Sequence, residues 1–221
     1  MIAKENGNKR PPQDPIPAGL QLARCYGVFD TGTHHDAMYD KDKREVVVVF
    51  EVPKCRITIT KEGEEPKDLP RAISQKYTIS LHEKANLRKH LESWRGRAFT
   101  ADELNGFELK NIVGKPCLLN IIHNTPAEVT YANISTITPL MDGMEPSKAE
   151  NPEAYFSFDD CTTDGEPDFP EGMPNWIVEQ AKESAEYKSL VNPQTAPAVD
   201  VSNVTEAEMT GEIEGDDSPP F

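Results

Sequence analysis

Four consecutive valines stand at the centre of REVVVVFEV, Arg44 to Val52. β-branched side chains lose rotamer freedom in a helix and pack well on a pleated surface, so this run reads as a strand. A sheet has to be assembled around it, and the flanking segments must supply its neighbours. LQLARCYGVFD, from Leu20, reads as an earlier strand ended by the turn signal Asp30-Thr31-Gly32, with the polar loop HHDAMYDKDK joining the two. Pro53 stops the valine strand, and RITIT (Arg56 to Thr60) is a short alternating strand that continues the sheet beyond a bulge. KEGEEPKDLP is a charged loop, and SQKYTISL, Ser74 to Leu81, alternates as a third strand.

The period then changes. In HEKANLRKHLESWRG the apolar residues Leu87, Leu91 and Trp94 fall at i, i+4 and i+7, one face of a helix, with Gly96 as its C-cap. Thr100 and Glu103 fit a capping box for a second short helical turn. CLLNIIH (Cys117 to His123) and VTYANISTITPL (Val129 to Leu140) read as two further strands. No β-α-β-α alternation appears, which argues against a doubly wound parallel sheet. Five strands with one helix between the third and fourth is the chain order of an OB-fold. The expected fold is therefore mainly β, an OB-fold-like five-stranded barrel with the helix plugging one end, although other small α+β barrels share this order. Phe29, Phe50, Trp94 and Phe99 are the expected aromatic core.

Charge divides the chain. Residues 1–139 carry 20 Lys and Arg against 18 Asp and Glu, a balance of +2, and residues 140–221 carry 3 against 20, a balance of −17. An almost neutral body with an acidic appendage is a pattern met in nucleic-acid proteins, and also in proteins whose tail only aids solubility. Four regions follow: a disordered Pro-rich arm (1–17), the barrel (18–140), an acidic extension (141–191) and an acidic tail (192–221). The extension holds a helix at about 174–190, with Trp176, Ile177, Ala181 and Tyr187 as candidate buried positions. From 193 onward there are seven acidic residues and no Lys or Arg. Such a segment cannot bury enough apolar area to offset an ordering cost of ~1–2 kcal/mol per residue, and it reads as disordered.

No apolar run approaches the ~20 residues that span a bilayer, and the polar N-terminus lacks a signal-peptide core, so a cytoplasmic protein without membrane contact is expected. Cys25, Cys55, Cys117 and Cys161 are widely spaced, which points to reduced, mostly buried thiols rather than zinc. His34-His35-Asp36 lacks a nearby third ligand. No nucleophile elbow, P-loop or zinc-protease motif appears, so neither metal, cofactor nor catalysis is expected.

The sequence closes on EGDDSPPF. Asp216-Asp217-Ser218-Pro219-Pro220-Phe221 resembles the tips of bacterial single-stranded DNA-binding proteins, which carry several aspartates, an apolar residue and a final Pro-Phe. Here Ser218-Pro219 stands where an aspartate and an apolar residue are usual. The resemblance implies that Asp216, Asp217, Pro219, Pro220 and Phe221 form a partner-binding tip. Phe221 would enter an apolar pocket while the acids steer the encounter. The body does not resemble the bacterial DNA-binding domain. SLHEKANLRKHLESWRGRAFTADELNGFELKNIVGKPCLL, with YANISTITP after it and PNWIVEQAKESAEY further on, is similar instead to a phage-encoded replication-associated family of single-stranded DNA-binding proteins.

That resemblance implies single-stranded DNA as ligand, replication, recombination and repair proteins as partners of the tip, and leaves room for a homo-oligomer. Single strands are held by basic groups for phosphates and aromatic rings for bases. Arg24 and Tyr26 on the first strand share a parity and should point the same way. Tyr39, Lys43 and Arg44 lie in and after the first loop, and Arg56 follows the second strand. Lys76 and Tyr77 occupy the third strand, on opposite faces if it is regular, and Tyr131 the fifth. The alternative is an interaction adaptor or recombination mediator whose barrel does not bind DNA. Clustering of cations on one face would separate the two readings.

Overall fold

The valine run lies in β2 (Lys41–Ile59), which pairs antiparallel with β1 (Gly19–Asp36) on one side and β3 (Lys67–Thr78) on the other. The computed structural model describes residues 14–60, 65–126, 129–161 and 165–192. The tip and nearly all of the tail and the arm fall outside these residues. Beyond β3 come α1 (Asn86–Arg95), α2 (Ala101–Asn105), a 3-10 turn at Leu109–Ile112, β4 (Pro116–Asn124) and β5 (Tyr131–Thr138). The extension supplies β6 (Ala154–Phe156), a 3-10 turn at Phe158–Asp160, α3 (Asn175–Lys182) and α4 (Ala185–Val191). The six-stranded sheet runs β3-β2-β1-β4-β5, with β6 beside the middle of β1 (Gly27 to Phe29) in the parallel sense. Among the described residues no helix is long and apolar enough to cross a membrane.

The sheet is open: among the described residues no ladder joins β3 to β5, where the expected barrel would close. α1 lies across that gap instead. It buries Leu87, Leu91 and Trp94, the stripe its sequence period marks, each contributing ~1.5–3 kcal/mol by burial. Its His90 ring stands 2.7 Å from the Tyr77 hydroxyl of β3 and also reaches the Ser135 backbone of β5. A helix and one imidazole thus connect the two edges in place of main-chain hydrogen bonds. Gly96 ends α1 in the left-handed region, and Thr100 with Glu103 forms the expected capping box of α2.

The valines do not alternate because both faces of β2 are buried. Val46, Val48, Phe50 and Val52 face the cluster under α1. Val47 and Val49 face a second cluster with Tyr26, Phe29, Ala154, Phe156, Phe158, Ile177 and Ala181. The extension therefore packs on the outer face of β1 and β2. Buried Glu51 secures its approach, accepting from the Asn151 backbone N–H at 2.9 Å and the Asn151 side-chain amide at 2.8 Å.

Several local readings change: the expected loops HHDAMYDKDK and KEGEEPKDLP are partly strand, since β1 runs to Asp36, β2 starts at Lys41 and β3 starts at Lys67. Asp30-Thr31-Gly32 is a bulge inside β1, not its end: Gly32 has φ 77° and donates to Asp30 Oδ1 at 2.8 Å. A Cβ at Gly32 would come within 2.4 Å of the Ser184 Cβ, so the bulge also makes room for the extension. Pro53 interrupts β2 with a register shift between Val52 and Arg56 without ending it. The expected single C-terminal helix breaks at buried Ser184, whose hydroxyl accepts from Tyr187 N–H at 3.1 Å and starts α4.

Candidate functional site

All five cations expected to contact phosphates are held by carboxylates of the chain itself. Arg24 pairs with Glu153. Lys43 lies 2.5 Å from Asp36, which its ammonium holds below the usual carboxylate range. Arg44 donates to buried Asp30 at 2.5 Å and to Asp159 at 2.8 Å. Arg56 meets Glu150 at 2.7 Å and Asp68 at 3.0 Å, and Lys76 meets Glu45 at 2.8 Å. Each therefore carries its own counter-charge, which lowers what a phosphate would gain from it. Three of these partners, Glu150, Glu153 and Asp159, come from the extension.

The tyrosines divide as well. Tyr77 is buried beneath α1. Tyr26 is buried in the second cluster, and Arg24 beside it reaches Glu153, so both do point toward the extension and neither offers a stacking face. Tyr39, at the tip of the β1–β2 hairpin, is 62% exposed, with the Lys43 ammonium 4.5 Å from its ring centre. Tyr131, at the start of β5, is 54% exposed. These two lie beyond opposite ends of β1, because the end of β4 pairs with the start of β1.

The structure presents another aromatic. Ile177 and Ala181 of α3 are fully buried on the sheet, which fixes the rotation of the helix. Trp176, about 100° away on the helical wheel, turns off the sheet and is 51% exposed. It borders a groove of about 770 Å³ together with Tyr26, Val49, Ile59, Ala72, Ser74, Pro174 and Asn175. The groove exists because the extension covers β1 and β2 but stops short of β3, whose outward residues Ala72 and Ser74 are too small to fill the space. Across it Ile59 is 43% exposed. Among the described residues no charged side chain lines it.

Trp176 was expected to be buried. The helical period could have corrected this, since positions three and four residues on are Glu179 and Gln180, whereas Ile177 is followed by Ala181 and Ser184.

A second cleft, of about 520 Å³, opens where β1, β2 and the turn before β4 meet. Its charged lining is Asp30, Glu108, Asp159 and Asp160 against Arg44 and Lys110. An acidic balance of this kind repels phosphate. His34 and His35 serve the hairpin, at 2.8 Å from the Thr31 carbonyl and 3.0 Å from Asp42. Among the described residues no three His, Cys, Asp or Glu converge as metal ligands. No family model, no curated protein and no solved structure matches the chain.

Proposed function

We propose that the chain is a single-stranded DNA-binding protein of a phage replication and recombination system, a binding protein rather than a catalyst. The observation that carries this reading is the uncharged groove with half-exposed Trp176 on its wall. A flat indole beside an apolar trough suits the face of an unpaired base, and base stacking is indifferent to sequence. The strand order β3-β2-β1-β4-β5 adds support. It is the order of a five-stranded Greek-key barrel opened between its third and fifth strands, and OB-folds hold single strands on the face of strands two and three, where this groove lies. The acidic tail and its Asp-Asp-Ser-Pro-Pro-Phe sequence serve to recruit replication, recombination and repair proteins.

The test is fluorescence anisotropy of labelled oligo-dT against the full chain, at low and moderate salt, with duplex DNA as competitor. Tight, salt-sensitive binding that duplex does not displace is expected. No binding to dT at low salt, with or without the last eight residues, refutes the reading.

One observation favours the adaptor instead: the five expected cations are all neutralised internally. In that reading the Trp176 groove takes an apolar peptide. The same anisotropy series would then show no dT binding.

A further inference from the structure

Three cations gather around one carboxylate where α1 gives way to α2. Gly96 N–H closes on the Ser93 carbonyl at 3.3 Å and Arg97 N–H on the Glu92 carbonyl at 3.2 Å, a Schellman-type ending that fixes the course of the chain after Arg95. Arg95 and Arg97 then share one carboxylate, Glu103. Arg97 grips it with both terminal nitrogens, at 2.7 and 2.9 Å, and Arg95 adds a further bond. The Thr100 backbone N–H takes the same carboxylate at 3.0 Å to complete the capping box. Glu103 therefore accepts four donors, and the Arg97 bond first among them holds its pKa down to about 2. It has little left to offer another cation.

The facing wall carries that cation. Lys115 precedes β4, and its backbone is pinned at both ends, N–H to Ile112 at 3.2 Å and carbonyl to Cys25 at 3.0 Å. Its exposed side chain makes no ion pair among the described residues. Between these walls lies a cleft of about 420 Å³, lined by Arg95, Arg97, Glu103 and Lys115, with Asn111 beside them and Trp94 in its floor. Three cations against one saturated carboxylate leave an excess of +2. Trp94 is buried, and half-buried Phe107 also lines the cleft, with the Arg95 guanidinium 5.2 Å from its ring centre.

We propose that this cleft is an anion site for the phosphodiester backbone of a single strand, with Arg97 and Lys115 as the two contacts and Arg95 behind them; this rests on the single-strand reading above. The two sites divide the task. The Trp176 groove presents a half-exposed indole and, among the described residues, no charged side chain, whereas the Arg97–Lys115 cleft presents mainly charge. Both are tied to β1, where the Cys25 backbone holds that of Lys115 and the side chain of the next residue, Tyr26, lines the groove on the other face. Guanidinium and ammonium groups in a cleft this size suit a tetrahedral phosphate.

The test follows the arginine side-chain Nε–Hε signals of the full chain by NMR during titration with oligo-dT, inorganic phosphate and oligo-glutamate. Saturable shifts of the Arg95 and Arg97 signals with oligo-dT, and weaker ones with the other two at equal anion concentration, are expected. In the anisotropy assay, Arg97→Gln with Lys115→Gln should weaken dT binding about tenfold and flatten the log–log salt slope by about 1.4, at ~0.7 per lost contact. Arg97→Lys should recover part of both. Equal shifts with inorganic phosphate would assign the cleft to a free anion, and larger shifts with oligo-glutamate to an acidic peptide; either overturns the proposal. If dT binds by anisotropy while these signals stay still, the cleft assignment alone fails. If dT does not bind at all, the single-strand reading fails with it.

Discussion

Replacing Trp176 by alanine isolates the groove's contribution. The side chain is 51% exposed, and an indole offers at most ~250 Å², so roughly 120 Å² of ring stands uncovered. At about 25 cal/mol per Å², complete covering would gain about 3 kcal/mol. One base face covers less than the whole, which places the contribution within the ~1–3 kcal/mol typical of a stacked base. Trp176→Ala should therefore weaken oligo-dT binding between about fivefold and a hundredfold. The salt slope should not change, because the indole itself carries no charge and no charged side chain among the described residues lines the groove. Trp176→Phe retains a stacking ring and should recover most of the affinity. The assay is anisotropy with labelled dT at several salt concentrations, run beside circular-dichroism melts so that loss of fold is not mistaken for loss of contact. Affinity within twofold of the parent for a folded Trp176→Ala protein would refute the reasoning, and so would a loss seen only as a flatter salt slope.

Further outcomes follow from burial and titration. Ile177 is fully buried in the second cluster, so Ile177→Ala should cost about 2–5 kcal/mol in urea unfolding; a cost below 1 kcal/mol would show that the extension is not held through α3. Burial lowers the His90 pKa below its ordinary value, with the Ser135 backbone opposing weakly. The unfolded chain then binds a proton near pH 6.5 that the folded chain refuses, so stability should fall as pH drops from about 7 toward 5.5. His90→Gln should reduce that slope in melts across the range, and an unchanged slope would contradict the assignment. Burial raises the Cys25 and Cys117 thiols, so native protein should give a thiol reagent only Cys55 and Cys161, and all four after denaturation.

Much of the fold was legible in local pattern. Leu87, Leu91 and Trp94 mark the buried stripe of α1, and Thr100 with Glu103 marks a helix start, because the partners of these signals lie within a few residues. The valine run was legible as a strand, but its burial on both faces was not, because the segment that covers the second face lies about a hundred residues further along the chain. The turn signal Asp30-Thr31-Gly32 misled because Gly32 spends its positive φ on a bulge, and a bulge and a turn use the same residue types.

The candidate site was legible only in part. Tyr39 and Tyr131 are exposed as a polar loop and a mixed strand end suggest. The cations were not readable as paired or free, since Arg24 finds its carboxylate 129 residues away and Arg44 finds one of its own 115 residues away. Composition counts such charges but does not match them.

The sequence by itself determined the five main strands and the helix between the third and fourth, because propensity, period and capping act over one or two turns of chain. Only the tertiary structure decided that the sheet stays open behind α1 and that the extension closes over the outer face. The same packing pairs each expected cation with a carboxylate, leaves Trp176 half-exposed, and gathers Arg95, Arg97 and Lys115 around the single carboxylate of Glu103. Those outcomes depend on which distant surfaces meet, and on which charges a folded chain has already satisfied before a ligand arrives.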